Sequence, residues 1–177
     1  MLIIDDRQNN GLTSNIGSDW RMVADSVMGG VSSGSLKTNI IDGKPCLQLR
    51  GFVSLENNGG FVQAALDTDR TTAANASAYR GLLLEVHGND EAYNLHLRTA
   101  DLQLPWQSYR STFHAPSEWR TLKLPFDSFT AYRTDQSLDL SRLRRIGIVA
   151  IGRAFTADLC IARLAYYSPA DHPATGK

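Results

Sequence analysis

Apolar residues recur at every second position along several short runs, and that period fixes the kind of backbone the chain can adopt. Leu47, Leu49, Gly51, Val53 and Leu55 alternate with Gln48, Arg50, Phe52 and Ser54. Leu82, Leu84 and Val86 alternate with Leu83, Glu85 and His87, and Tyr93, Leu95, Leu97 and Thr99 with Asn94, His96 and Arg98. Successive side chains of a strand point to opposite faces, so each run predicts a strand with one face inward. Residues 120–124 repeat the pattern, while the near-continuous apolar stretch from Arg145 to Ile151 predicts a strand buried on both faces.

Turn signals punctuate these runs: Asp42-Gly43-Lys44-Pro45, Asn57-Asn58-Gly59-Gly60, Gly88-Asn89-Asp90, Ala115-Pro116-Ser117 and Gly152. Gly and Asn accept positive φ cheaply, as tight connections between antiparallel strands require. Asn57–Gly60 in particular predicts a hairpin. No segment shows several turns of amphipathic helix, although residues 125–129 and 141–143 each suit one short turn. Many short strands so punctuated predict an all-β antiparallel sandwich or jelly roll. A chain of 177 residues suits one domain of roughly 100–200 residues. The expected domain is 1–168, followed by a disordered tail over 169–177.

Composition narrows the partners. Lys and Arg total 18 against 18 Asp and Glu, so the chain carries no net charge and no surplus for nucleic acid. No polybasic patch and no apolar run of about 20 residues points to a membrane. The stretch Met1-Leu2-Ile3-Ile4-Asp5-Asp6-Arg7 lacks the basic start and apolar core of a signal peptide, which predicts a cytoplasmic chain. In that setting Cys46 and Cys160 are expected as separate buried thiols; the alternative is one long-range disulfide.

No stretch of the sequence carries a complete catalytic pattern. Gly29-Gly30-Val31-Ser32-Ser33-Gly34 is followed by Ser35 where a phosphate loop has Lys, so backbone permissiveness explains it better. His87, His96, His114 and His172 are scattered without metal-ligand spacing, and no nucleophile elbow is present. The expectation is no enzyme, no cofactor and no metal. What remains is a polar strand face with Asn94, His96 and Arg98, and Glu85 expected beside them on the preceding strand. Such a face holds a sugar or polar peptide by hydrogen bonds, or is simply solvated. Trp106 and Tyr109 join it as aromatic candidates for contact with a ligand or partner. Trp119, just before a strand, is expected to pack.

Four stretches carry a resemblance. They are Trp20 to Ser32, containing Asp25-Ser26-Val27-Met28-Gly29-Gly30; Phe52 to Phe61, containing Asn57-Asn58-Gly59-Gly60; Tyr79 to Val86 leading to 93–99; and Trp119 to Phe129. The sequence resembles the complex I intermediate-associated protein family over about Trp20 to Tyr167. The resemblance implies a galactose-binding-domain-like β-sandwich and a non-catalytic, chaperone-like role in assembling NADH:ubiquinone oxidoreductase. Respiratory-complex subunits are then the implied partners. A carbohydrate or small polar ligand is the alternative suggested by that fold. The residues themselves assign Asp25 and Ser26 to capping backbone amides in a tight bend.

Overall fold

The computed structural model describes residues 1–171. The first half of the chain forms β1 (Leu2–Asp5), β2 (Arg21–Ala24), β3 (Ser33–Ile41), β4 (Lys44–Val53), β5 (Phe61–Asp67) and β6 (Gly81–His87). The second half forms β7 (Glu91–Thr99), β8 (Ser108–Ala115), β9 (Arg120–Pro125), β10 (Thr130–Tyr132), β11 (Leu143–Ile151) and β12 (Phe155–Tyr167). Short 3-10 turns at Phe126–Ser128 and Leu140–Arg142 occupy the two places where the sequence suits them.

These strands make two six-stranded antiparallel sheets facing each other, the jelly-roll sandwich that the alternation predicts. The first runs β3-β4-β12-β6-β9, with β1 also on β12; the second runs β10-β8-β7-β11-β5-β2. The long β12 serves two partners along one edge, β4 at Phe155–Ile161 and β1 at Leu164–Tyr166. The inward residues of the alternating runs form one core: Leu47, Leu49 and Val53 meet Leu82, Leu84 and Val86, then Leu95, Leu97, Ile146 and Ile148. Trp20 is buried there, with its indole N–H donating to Asp5 Oδ2 at 2.6 Å.

Four expectations change. Asn57–Gly60 is not a hairpin, because β4 and β5 lie in different sheets; the segment is a crossing with a 3-10 turn at Glu56–Asn58. Glu85 is not beside Asn94. The Gly88–Asp90 connection carries the chain from β6 in the first sheet to β7 in the second. Cys46 and Cys160 are bonded to each other, with Cα atoms 5.5 Å apart. The pairing of β4 with β12 brings them within disulfide reach on the outer side of the first sheet, where Ile41 and Trp119 cover them. Finally, Pro169–Asp171 is an ordered turn. Asp171 accepts from Ser168 and pairs with the Met1 amino group at 3.3 Å. The rest of the expected tail, 172–177, lies outside the described residues.

Candidate functional site

The outward-facing residues of the second sheet line up in rows, because directly paired residues of antiparallel strands share a face. One row runs Arg21, Ala65, Gly147, His96, Arg110 and Thr130 across all six strands. A second contains Val23, Gln63, Val149, Asn94 and Thr112, and a third Asp67, Arg145 and Arg98. At the centre, a Cβ on Gly147 would overlap the Gln63 side-chain amide, so Gln63 lies across that glycine. Thr112 Oγ1 donates to Asn94 Oδ1 at 2.6 Å. The Arg110 guanidinium sits 3.5 Å over the Tyr132 ring, while its Nε donates to Ser108 Oγ.

Charge on this face is one-sided. Asp67 is its acid within these rows, and Arg21 and Arg145 both bind it. The Arg21 hydrogen bonds hold Asp67 below the usual carboxylate range against the upward push of burial, with Arg145 adding to the effect. Arg98 and Arg110 have no carboxylate among the described ion pairs; burial and neighbouring guanidiniums lower both. His96 Nε2 is buried without a hydrogen-bond partner. Burial, aided by Arg110, pushes its imidazole down to about 3.

His96 is therefore neutral when folded, and its unfolded-state value is higher. From the ordinary imidazole range down to about 3, the unfolded chain binds a proton that the folded chain refuses. The stability tied to neutral His96 is complete above that range and drains as pH falls. Urea unfolding should show wild type losing about 1.4 kcal/mol per pH unit more than His96→Gln in this window. Equal slopes would contradict the assignment.

Of the residues singled out from sequence, Asn94, His96 and Arg98 come together on this face. Arg98 Nη1 donates to Leu104 O and Gln107 O, both at 2.8 Å, bracketing Trp106, which is 50% exposed beside the sheet end. Glu85 belongs to the other sheet and pairs with Lys44. Tyr109 does not face a ligand. Its ring is in the core, and its hydroxyl donates to Gln136 O at 2.8 Å and Ser137 O at 3.2 Å. Sequence reading missed Arg110, Arg145 and Tyr132. The alternation of Ser108, Arg110 and Thr112 with Tyr109, Ser111 and Phe113 would have exposed both the omission of Arg110 and the error at Tyr109. Tyr132 lies in a strand of three residues, too short to show a period.

The two signature loops meet at a different place. The buried Asp25 carboxylate accepts from Ser32 N at 2.9 Å, Phe61 N at 3.2 Å, the Gly60 amide and the Ser32 hydroxyl. Burial pushes the Asp25 carboxyl up, but these bonds, the Ser32 hydroxyl foremost, hold it below its ordinary value. Gly30 and Gly59 stand where no side chain fits: a Cβ at Gly30 would overlap the Asp25 carboxylate, and one at Gly59 would lie 2.5 Å from its Oδ2. Gly29 closes the Asp25–Met28 turn at φ 84°, Asn57 adopts φ 55°, and Ser26 is exposed, its carbonyl accepting from Gly29 N. The side chains of Met28 and Asn58 lie outside the described residues.

Among the described residues no group of three or more His, Cys, Asp or Glu could hold a metal ion, and no helix is long and apolar enough to cross a membrane. The fold is similar to solved carbohydrate-binding modules of Clostridium thermocellum. A family 11 module of a cellulosomal cellulase aligns with TM-score 0.74 at 11% identity, covering 94% of this chain and 93% of that one. The family 11 module in complex with a β-1,3-1,4-mixed-linked tetrasaccharide gives TM-score 0.71 at 13% identity, covering 94% and 95%. A family 30 module of a cellulosomal cellulase gives TM-score 0.68 at 12% identity, covering 96% and 99%. At these identities the likeness shows the fold alone. No curated protein matches the sequence. Residues 11–161, which include the Asp25 knot and the rows of the second sheet, match the complex I intermediate-associated protein 30 (CIA30) family, and the chain belongs to that family.

Proposed function

We propose that the chain is a non-catalytic protein-binding module that assists assembly of the respiratory NADH:ubiquinone oxidoreductase. The observation that carries this reading is family membership across residues 11–161. The Asp25 knot supports it physically. Ser54 N donates to Ser32 Oγ at 2.9 Å, and the neighbours of that pair, Val31 and Leu55, are 46% and 52% exposed, with Phe52 exposed close by. Apolar side chains on loops already fixed lose little entropy on docking. In this reading the module acts like a chaperone for its partner subunits. Affinity capture from native membranes should recover subunits of the oxidoreductase, and Val31→Asp with Leu55→Asp should reduce the yield. Repeated capture of none of them would contradict the proposal.

A second reading, binding of a carbohydrate or small polar ligand, is favoured by the Arg110–Tyr132 stack and by exposed Trp106. A glycan array probed with wild type, Trp106→Ala and Arg98→Ala tests it. Binding lost in the variants supports it, and a blank array removes it.

A further inference from the structure

The chain as a whole is neutral, yet the outer rows of its second sheet hold Arg21, Arg98, Arg110 and Arg145 against Asp67. Asp67 is already shared between Arg21 and Arg145, so its charge is spent. The Nη atoms of Arg145, which binds Asp67 through Nε, have no acceptor among the described hydrogen bonds. Arg110 is held in the same way: its Nε is anchored on Ser108 Oγ, its plane is fixed by the Tyr132 ring, and no carboxylate pairs with it among the described ion pairs. Across a pair, facing Cβ atoms are about 5 Å apart, and residues two apart on one strand about 7 Å. His96, Arg98, Arg110 and Arg145 therefore converge on a patch of single-sugar size.

We infer that this face binds an acidic saccharide, with Arg110, Arg98 and Arg145 meeting its carboxylate or sulfate groups, His96 offering a neutral hydrogen bond, and Trp106 flanking it. The inference rests on the second functional reading and adds the charge of the ligand. Guanidinium forks match planar carboxylates and tetrahedral sulfates in a way that point charges do not. Fixed side chains also bind without paying much ordering entropy. The neutral hydroxyls of the same ligand suit Asn94, Thr112 and Gln63, which line the next row.

Calorimetric titration of the whole chain with oligogalacturonate, a heparin-derived oligosaccharide, neutral cellotetraose and poly-glutamate tests this. The expected result is binding of at least one acidic oligosaccharide, weakened by added salt. Arg110→Gln should weaken it about tenfold, the loss of one charge-assisted hydrogen bond. Arg145→Gln should also weaken it, and a thermal melt of each variant confirms that it is folded. Unchanged affinity in both folded variants would overturn the inference. Cellotetraose bound as tightly as the acidic sugars would overturn the charge assignment while leaving the saccharide reading intact. Poly-glutamate bound as tightly would overturn the saccharide and make the face a site for acidic protein segments. No binding of any probe would overturn both the inference and the second reading, without touching the assembly proposal.

Discussion

Replacing Asp25 with Ala should destabilise the chain by roughly 3–5 kcal/mol, because it strands several buried donors together. Ser32 N, Gly60 N and Phe61 N all give their hydrogen bonds to this carboxylate. For a chain of this size that corresponds to a fall in melting temperature of about 10 °C or more. Asp25→Asn should also be costly, since its amide N–H group would confront backbone N–H donors. Gly59→Ala should cost about 1–3 kcal/mol by overpacking against the carboxylate. The two sites are coupled through the same atoms, so the Gly59→Ala cost should shrink in the Asp25→Ala background. It should not vanish, since the Cβ would still lie 3.0 Å from Gly30 Cα. Additive costs in a urea double-mutant cycle would show that the knot is not the reason for the glycine. The low folded value of Asp25 has a pH consequence as well. Its contribution is present above the ordinary carboxylate range and is lost as pH falls through the folded value.

The second large effect concerns the Cys46–Cys160 bond. Protein unfolded in guanidinium without reductant should show no free thiol, and about two per chain after reduction. Cys46→Ser with Cys160→Ser should lower stability by roughly 2–4 kcal/mol, since the bond closes a long loop of the unfolded chain. Trp119 donates from its indole to Ile41 O at 3.1 Å and covers the bond together with Ile41. Native protein should therefore be reduced much more slowly than unfolded protein. Thiols free in oxidatively prepared protein, or a variant as stable as wild type, would contradict this account. The bond departs from the separate thiols expected of a cytoplasmic chain, because disulfides persist where conditions are oxidising.

Local features were legible in the sequence and non-local ones were not. The period of two is written into neighbouring residues, so Leu47, Leu49 and Val53, or Tyr93, Leu95 and Leu97, could be assigned to the inner face without knowing their partners. Sheet order is different. Glu85 and Asn94 are close in the chain, yet their strands belong to opposite sheets. Cys46 and Cys160 are 114 positions apart, yet their strands are neighbours. Its local sequence assigns Asp25 to capping nearby amides, which it does at Ser32. Its bonds to Gly60 and Phe61, which explain Gly30 and Gly59 together, depend on a meeting of two loops that no spacing announces. The polar face was half legible. Its β7 residues stand out by alternation, but the charge of the patch arises only when β7 lies between β8 and β11.

The central claim, that the chain assists assembly of the oxidoreductase, is tested most directly in cells of its source from which it has been removed. Native gel electrophoresis of their membranes should show the full respiratory complex depleted and partial assemblies accumulated. Wild-type chain should restore the full complex, and Val31→Asp with Leu55→Asp should restore it less well. A full complement of assembled, active complex in the absence of the chain would contradict the account.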